Sequence, residues 1–321
     1  MTIRIIGTGV GTPQRALSND ELAAVAGLDT SDEWITSRTG IRQRYICQDE
    51  TLADLATDAA RGALSDSGAT SEQVDYLICA TIGGDTRTPS LACVVAERLG
   101  ATCMAMDINV GCVGFLGALD IAANTIQSRR AKRVLIICAE KMSAHLDWSD
   151  RGTCVLFGDA AAACMVTSGR VLKYINLGSM PDSKVISMRS DMVGCNPLAH
   201  SLEPASYVQM NGQQIFKYGV TIIEQEMRRT LDALQLTFSD IDLFLIHQAN
   251  RRIIDFAIRR LEQPKSKFPI IIDRYGNTSA VSLPLMLHEL RQDGRIHPGQ
   301  RLFLCAYGSG LIYGSCVLEW E

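Results

Sequence analysis

Short apolar runs alternate with longer amphipathic stretches along most of the chain. The runs at residues 76–81, 103–108, 134–138, 243–246 and 302–306 are bounded by glycine or polar residues, the pattern of strands covered on both faces. Between them lie stretches with helical spacing. Thr51 is placed to cap a helix whose apolar positions are Leu52, Leu55, Ala56, Ala59, Ala60, Ala63 and Leu64, and Gly68 to stop it. Comparable patterns cover 90–99, 113–126, 213–234, 250–261 and 279–290. The opening MTIRIIGTGVGTP reads as a buried strand entering a Gly/Pro turn. Strands and helices in alternation predict an α/β layered fold.

The stretch 167–208 carries several Gly, Pro and Ser residues and holds no sustained period. It reads as a linker with surface strands that divides the chain near its middle. Each side of it contains a strand, a sharp polar turn and a long helix: MDINVGC-VGFLGALDIA in the first, FLIHQAN-RRIIDFAIRRL in the second. A structural duplication is therefore expected, with halves at 1–170 and 171–321.

With 321 residues, 47% of them apolar and 21% charged, the chain has the balance of a globular protein with a large core. A net charge of −4 gives no bulk attraction to nucleic acid or to an anionic membrane, so an acidic partner needs a local basic patch. No apolar run approaches a spanning helix. The N-terminus lacks a basic start and a small-residue cleavage site, which makes the cytoplasm the expected compartment. The eleven cysteines, Cys195 among them, show no C-x-x-C pair and no neighbouring histidine. No metal site is expected, and most cysteines read as small buried hydrophobes.

Three segments carry chemistry-bearing residues. In AMDINVGCVGFLGALDIA, Cys112 follows a strand and opens a helix. There, unpaired backbone N–H groups and the helix dipole favour thiolate and lower its pKa; a core cysteine at a strand–helix junction fits the same letters. Gly111 and Gly114 would leave room for a substrate. His247 ends the apolar run of LFLIHQANRRII, where α/β sheets collect ligands, although a core histidine is the simpler reading of that segment alone. Asn277 stands in a Gly-Asn-Thr-Ser turn opening a helix, a usual place for a turn former.

Together the segments resemble β-ketoacyl-acyl-carrier-protein synthase III, a condensing enzyme of the thiolase superfamily. The resemblance spans IIGTG, DTSDEWITSRTGIRQR (29–44), SDRGTCVLFGDAAAA (149–163), HQANRRI (247–253), DRYGNTSAVSLP (273–284) and DGRIHPGQ (293–300). It implies a thiolase-like αβαβα fold of two similar halves, a homodimer, and a reaction on CoA and carrier-protein thioesters without a resident cofactor. Cys112 would be acylated by acyl-CoA, and His247 and Asn277 would activate a malonyl thioester for decarboxylative condensation. Backbone N–H groups of Cys112 and Ser309 would form the other oxyanion site. Trp34 and Arg151 would sandwich the CoA adenine, with Arg38 near phosphate. Thr30, Gly152, Met210, Gly212, Phe216, Ala249 and Asn250 would follow the CoA and pantetheine path. Lys217, Arg251, Arg252, Arg259 and Arg260 would form a basic patch for acyl carrier protein. Core packing accounts as well for Trp34, Met210 and Phe216, and a solvated helix face for the arginines.

The chain departs from the family at four places. Thr88 replaces a bulky residue that caps the acyl pocket across the dimer interface, which points to a primer larger than acetyl. Ser309 interrupts a glycine triplet, where a left-handed backbone would be strained. Leu311 and Tyr313 replace aromatic residues of the pocket wall, and DAAAA (159–163) replaces a glycine-containing run. Competing readings are an acyltransferase or starter-unit enzyme that passes the acyl group to an alcohol or amine, a non-catalytic binder of carrier protein, and a Cys–His–Asn protease. The local sequence around Cys112 does not suit the last.

Overall fold

The computed structural model describes residues 3–189 and 206–321. Cys195 and the middle of the 167–208 stretch lie outside the described residues. The chain begins with β1 (Ile3–Gly11). β2 (Ala16–Ser18) pairs with β3 (Gln43–Tyr45) around α1 (Asn19–Ala26) and α2 (Asp32–Thr39). Then come α3 (Leu52–Ser67), β4 (Tyr76–Ala80), α4 (Leu91–Leu99), β5 (Met104–Ile108), α5 (Gly114–Gln127), β6 (Arg133–Glu140) and β7 (Ala160–Ser168). β8 (Leu172–Asp182), the short β9 (Ile186–Ser187) and β10 (Gln209–Met210), and α6 (Gly212–Leu234) follow. The chain ends with β11 (Leu243–Ile246), α7 (Arg251–Arg260), α8 (Ile272–Tyr275), α9 (Ser282–Gln292), β12 (Arg301–Gly308) and β13 (Gly310–Glu319).

Local signals set these boundaries. Thr51 and Asp54 form a reciprocal capping box at the start of α3, and Gly68 ends it in the left-handed conformation; such a cap contributes about 1 kcal/mol. Ser90 caps α4 and Gly100 stops it. The stretch from 167 is less irregular than its composition suggests. β8 runs for 11 residues, but at the edge of its sheet only its first residue is fully buried and its last four are all exposed, so it shows no apolar run.

Two sheets organise the molecule. The first has the order β1-β7-β6-β4-β5 and the second β11-β12-β13-β8. Along each, two antiparallel pairings lead to a parallel one: β1/β7, β7/β6, β6/β4 in the first, and β8/β13, β13/β12, β12/β11 in the second. The duplication is thus real, but its register differs from the one expected. β11 and α7 are the counterparts of β4 and α4, whereas α5, which follows Cys112, corresponds to α9, which follows Asn277. The second half has no fifth strand among the described residues.

One apolar cluster fills the space between the sheets, drawing on α5, α9 and the inner faces of both. A second lies between α3, α4 and the outer face of the first sheet. A third lies between α6, α7 and the outer face of the second. The layers are therefore helix, sheet, helix, sheet, helix. Phe115, Leu116 and Leu119 of α5 are fully buried, each worth about 1.5–3 kcal/mol on burial. β1 approaches α3 so closely that a Cβ on Gly9 would lie 2.2 Å from the Ala59 carbonyl oxygen; only glycine fits there.

Candidate active site

The central helices open in the same way. Gly111–Val113 is a 3₁₀ turn running into α5, and Ser279–Val281 is a 3₁₀ turn running into α9. Their first residues have nearly equal left-handed backbones, φ +49 at Gly111 and φ +51 at Ser279. Cys112 sits in the first turn and Asn277 just before the second. His247 follows β11 directly. All three line one cavity of about 460 Å³ at the meeting of the halves.

Cys112 is half-buried and opens on this cavity. Gly308, at the end of β12, presses against it: a Cβ there would lie 2.9 Å from the cysteine Cβ and 3.2 Å from its Sγ. The Ser279 hydroxyl donates to Cys112 Sγ at 3.6 Å. Burial nonetheless pushes the thiol up to about 11, with the Ser279 hydrogen bond opposing and the nearby Glu140 adding to the rise. The expected thiolate is therefore not the resting state. Desolvation deep between two sheets outweighs the helix start, and α5 begins only at Gly114. Gly114 itself packs between Ala80 and Ala280 rather than facing a substrate.

His247 is buried, and burial pulls its imidazole down to about 3, so the ring is neutral. Its Nδ1 lies 2.6 Å from Ser282 Oγ, and the edge of the Tyr307 ring meets it at 5.8 Å between centroids. A Ser282 hydroxyl that donates to Nδ1 leaves the proton on Nε2. Asn277 Oδ1 accepts the Ser279 N–H at 2.9 Å, which leaves the donor side of the amide to the cavity. A neutral imidazole and a carboxamide thus form a pair of uncharged donors. Glu140, at the end of β6, is fully buried, and burial raises its carboxyl to about 8 against hydrogen bonds from Ile82, Ser279, Ala280 and Thr81.

The cavity reaches the surface past Trp34, Arg38, Arg151 and Gly152, with Met210, Gly212, Phe216, Ala249, Asn250 and Ser309 also on its wall. The guanidinium groups of Arg38 and Arg151 lie 4.4 and 4.9 Å from the Trp34 ring centroid, and Arg151 donates to the Asp29 carbonyl. Asn250 both caps α7 through the Arg252 N–H and donates to the Arg38 carbonyl at 3.2 Å. Thr30 is half-buried beside this mouth but off the wall, its hydroxyl unpaired. Ser309 has no left-handed backbone; that conformation falls on Gly310, φ +120. The strain expected at Ser309 is absent, and its hydroxyl instead packs against Gly111, 2.6 Å from where a Cβ would stand. Thr88 is exposed and does not line the cavity of its own chain. Leu311 is buried against Val185 and Ile215, behind the wall.

The basic residues of α6 and α7 are partly engaged. Arg251 pairs with Asp255 at 3.0 Å and Arg260 with Glu224 at 2.5 Å. Arg259 lies over the exposed Phe256 ring, and Lys217 and Arg252 are exposed. Sequence reasoning missed Glu140, Ser279, Ser282, Tyr307 and Gly308. Ser279 and Ser282 were visible inside GNTSAVS, and Glu140 as a lone carboxylate closing VLIICAE.

Layers of helix, sheet, helix, sheet, helix, duplicated halves and a cysteine at the central helix start define the thiolase-like class of acyltransferases. Among solved structures, 3-oxoacyl-[acyl-carrier-protein] synthase III of Aquifex aeolicus superposes with a TM-score of 0.89 at 38% identity, covering 99% of this chain and 100% of that one. The priming β-ketosynthase of the R1128 polyketide biosynthetic pathway superposes with 0.90 at 31% identity, covering 99% and 96%. Residues 106–179 match the family 3-oxoacyl-[acyl-carrier-protein] synthase III, and residues 231–320 its C-terminal part. β-Ketoacyl-[acyl-carrier-protein] synthase III of Clostridium perfringens is 40% identical over 98% of each chain. The chain belongs to the β-ketoacyl-[acyl-carrier-protein] synthase III family and is a condensing enzyme of that type. Among the described residues no helix is long and apolar enough to cross a membrane.

Proposed function

We propose that Cys112 takes an acyl group from acyl-CoA as a thioester and passes it to the enolate of a malonyl thioester borne by acyl carrier protein. The observation that carries this reading is the convergence of Cys112, His247 and Asn277, from three separate segments, on one cavity whose mouth holds Trp34, Arg38 and Arg151. Sulfur attack on the acyl carbonyl expels CoA, and backbone N–H groups of Cys112 and Ser309 meet the oxyanion. The malonyl thioester then loses carbon dioxide. Charge develops on its thioester oxygen, where His247 Nε2–H and the Asn277 amide donate. Neither donor is charged, so neither draws the malonyl carboxylate into a tight resting complex. The chemistry comes from the thioesters and these side chains, without a resident cofactor.

The division at residue 170 belongs to the same reading, the first half supplying the nucleophile and the second both donors. Lys217, Arg252 and Arg259 offer the freer positive charge for an acidic carrier protein. A homodimer would bring Thr88 to a neighbouring acyl pocket, where its small side chain would admit a primer larger than acetyl. The cytoplasm suits substrates of this kind.

Intact mass after incubation with a panel of acyl-CoAs tests the reading. A single acyl addition is expected, absent in Cys112→Ala. Asn277→Ala should load normally but release carbon dioxide from malonyl thioester about 10²–10³-fold more slowly. Label on Cys112→Ala would overturn the assignment, and strict preference for acetyl-CoA would overturn the larger primer. Acyl transfer without carbon dioxide release would favour an alcohol or amine acceptor instead.

A further inference from the structure

Loading Cys112 requires its thiol proton to leave, and burial holds that proton in place. One hydroxyl touches both the sulfur and a buried carboxyl. Ser279 Oγ lies 3.6 Å from Cys112 Sγ and 3.1 Å from Glu140 Oε1. One hydroxyl proton cannot serve both partners. Either Ser279 donates to an ionised Glu140 and receives from the thiol, or it receives from a protonated Glu140 and donates to a thiolate. The two arrangements differ only by two proton shifts.

The backbone points the same way. Ser279 occupies a left-handed conformation, φ +51, at the place where the other half has Gly111 at φ +49. A non-glycine residue there bears a conformational cost that glycine avoids. What serine adds in return is the hydroxyl between thiol and carboxyl. The carboxyl is prepared to hold charge despite full burial, because Glu140 Oε2 accepts the Ile82 N–H at 3.2 Å and the Thr81 hydroxyl and Ala280 N–H also act on it.

We propose that Ser279 and Glu140 form a proton relay that discharges the Cys112 thiol during acyl loading, a step that rests on Cys112 being the acylated nucleophile. The S–H proton passes to Ser279 Oγ as the Ser279 proton passes to the Glu140 carboxylate. The sulfur–acyl bond forms and the bond from acyl carbon to CoA sulfur breaks. The proton on Glu140 then returns through Ser279 to the departing CoA sulfur, which regenerates the carboxylate. One negative charge moves between two buried groups, so no additional charge is desolvated. The titratable groups that act with Glu140 are the thiols of Cys112, Cys79 and Cys138, and the adjacent Lys141 ammonium donates to the Glu50 carbonyl instead. Burial raises Glu140 to about 8, which makes its carboxylate a stronger base than a surface one.

The test measures alkylation of the Cys112 peptide by iodoacetamide from pH 6 to 9.5, with single-turnover loading from acyl-CoA in parallel, for the wild-type protein, Glu140→Gln and Ser279→Gly. The glycine variant keeps the left-handed backbone and so decides the matter if the buried glutamine variant does not fold. The wild type should show a rising limb near pH 8. Both variants should lose it, with alkylation at pH 8 at least tenfold slower and loading about 10²-fold slower. If Glu140 acts only as a nearby negative charge, Glu140→Gln will ionise Cys112 more easily and alkylate faster; that result, or an unchanged limb in both variants, overturns the relay. Should the wild type take up no acyl group, the proposed function fails, while the alkylation profiles still decide the relay.

Discussion

Replacing Ser282 with alanine removes the hydroxyl that lies 2.6 Å from His247 Nδ1. The imidazole is buried and neutral, so it carries one N–H, and the position of that proton decides whether the ring can donate to an enolate. Without Ser282, Nδ1 is a buried acceptor with no partner, a loss of about 1–3 kcal/mol. Alanine regains about 0.5 kcal/mol of helix propensity at the start of α9, so the net loss of stability is about 1–2 kcal/mol. A ring free to carry its proton on Nδ1, or to turn against Tyr307, loses a similar part of its hold on the transition state. At 1.4 kcal/mol per factor of ten, decarboxylation should slow about 5–30-fold. The assay is carbon dioxide release from malonyl thioester by pre-acylated enzyme, beside acyl loading from CoA. Loading should be unchanged, and Ser282→Thr should restore most of the lost rate. Wild-type decarboxylation in Ser282→Ala, or an equal slowing of loading, would refute the reasoning.

Decarboxylation by pre-acylated enzyme should show no limb from His247 between pH 5.5 and 8, because its pKa is pulled down to about 3; a limb near 6.5 would show an imidazolium at work. Glu140 titrates at about 8 when folded against 4.5 as a free side chain, so the unfolded chain gives up this proton first and the stability it confers is full below pH 4.5 and lost as pH rises to 8. Chemical denaturation of Glu140→Gln should therefore lose a pH-dependent contribution on the order of 5 kcal/mol across that window, and parallel wild-type and variant curves would contradict the raised pKa. Gly9→Ala drives a methyl into the Ala59 carbonyl at 2.2 Å and should cost about 3 kcal/mol or more by melting temperature. Trp34→Ala should raise KM for acyl-CoA about tenfold with kcat little changed, since the ring lies at the cavity mouth; a fall in kcat alone would place it elsewhere in the mechanism.

The fold was legible wherever local chemistry sets a boundary. Thr51, Gly68 and Ser90 cap and stop the helices their side chains announced, and the buried strands appeared as apolar runs. β8 was hidden because, as an edge strand, it is partly buried or exposed at all but its first position. Cys112, His247 and Asn277, which line one cavity, each stand in a distinctive turn, and the resemblance joined them. The state of Cys112 could not be read in the same way. A helix start is local, but the desolvation that outweighs it comes from two sheets closing over the sulfur. Ser279 and Glu140 are 139 positions apart, and no periodicity links them. The duplication was visible as a layout, yet its register depends on strand order, which the letters do not carry.

α5 is enclosed on both sides, with Gly114 through Leu119 buried and both sheets packed against it. A helix held in this way gives the nucleophile no hinge and no room to travel. Whatever reacts must be delivered to a stationary point, and the phosphopantetheine arm is a tether fit for that delivery. Under the proposed function, the channel from Trp34 to Cys112 sets the reach that a carrier's arm needs to hand over its cargo.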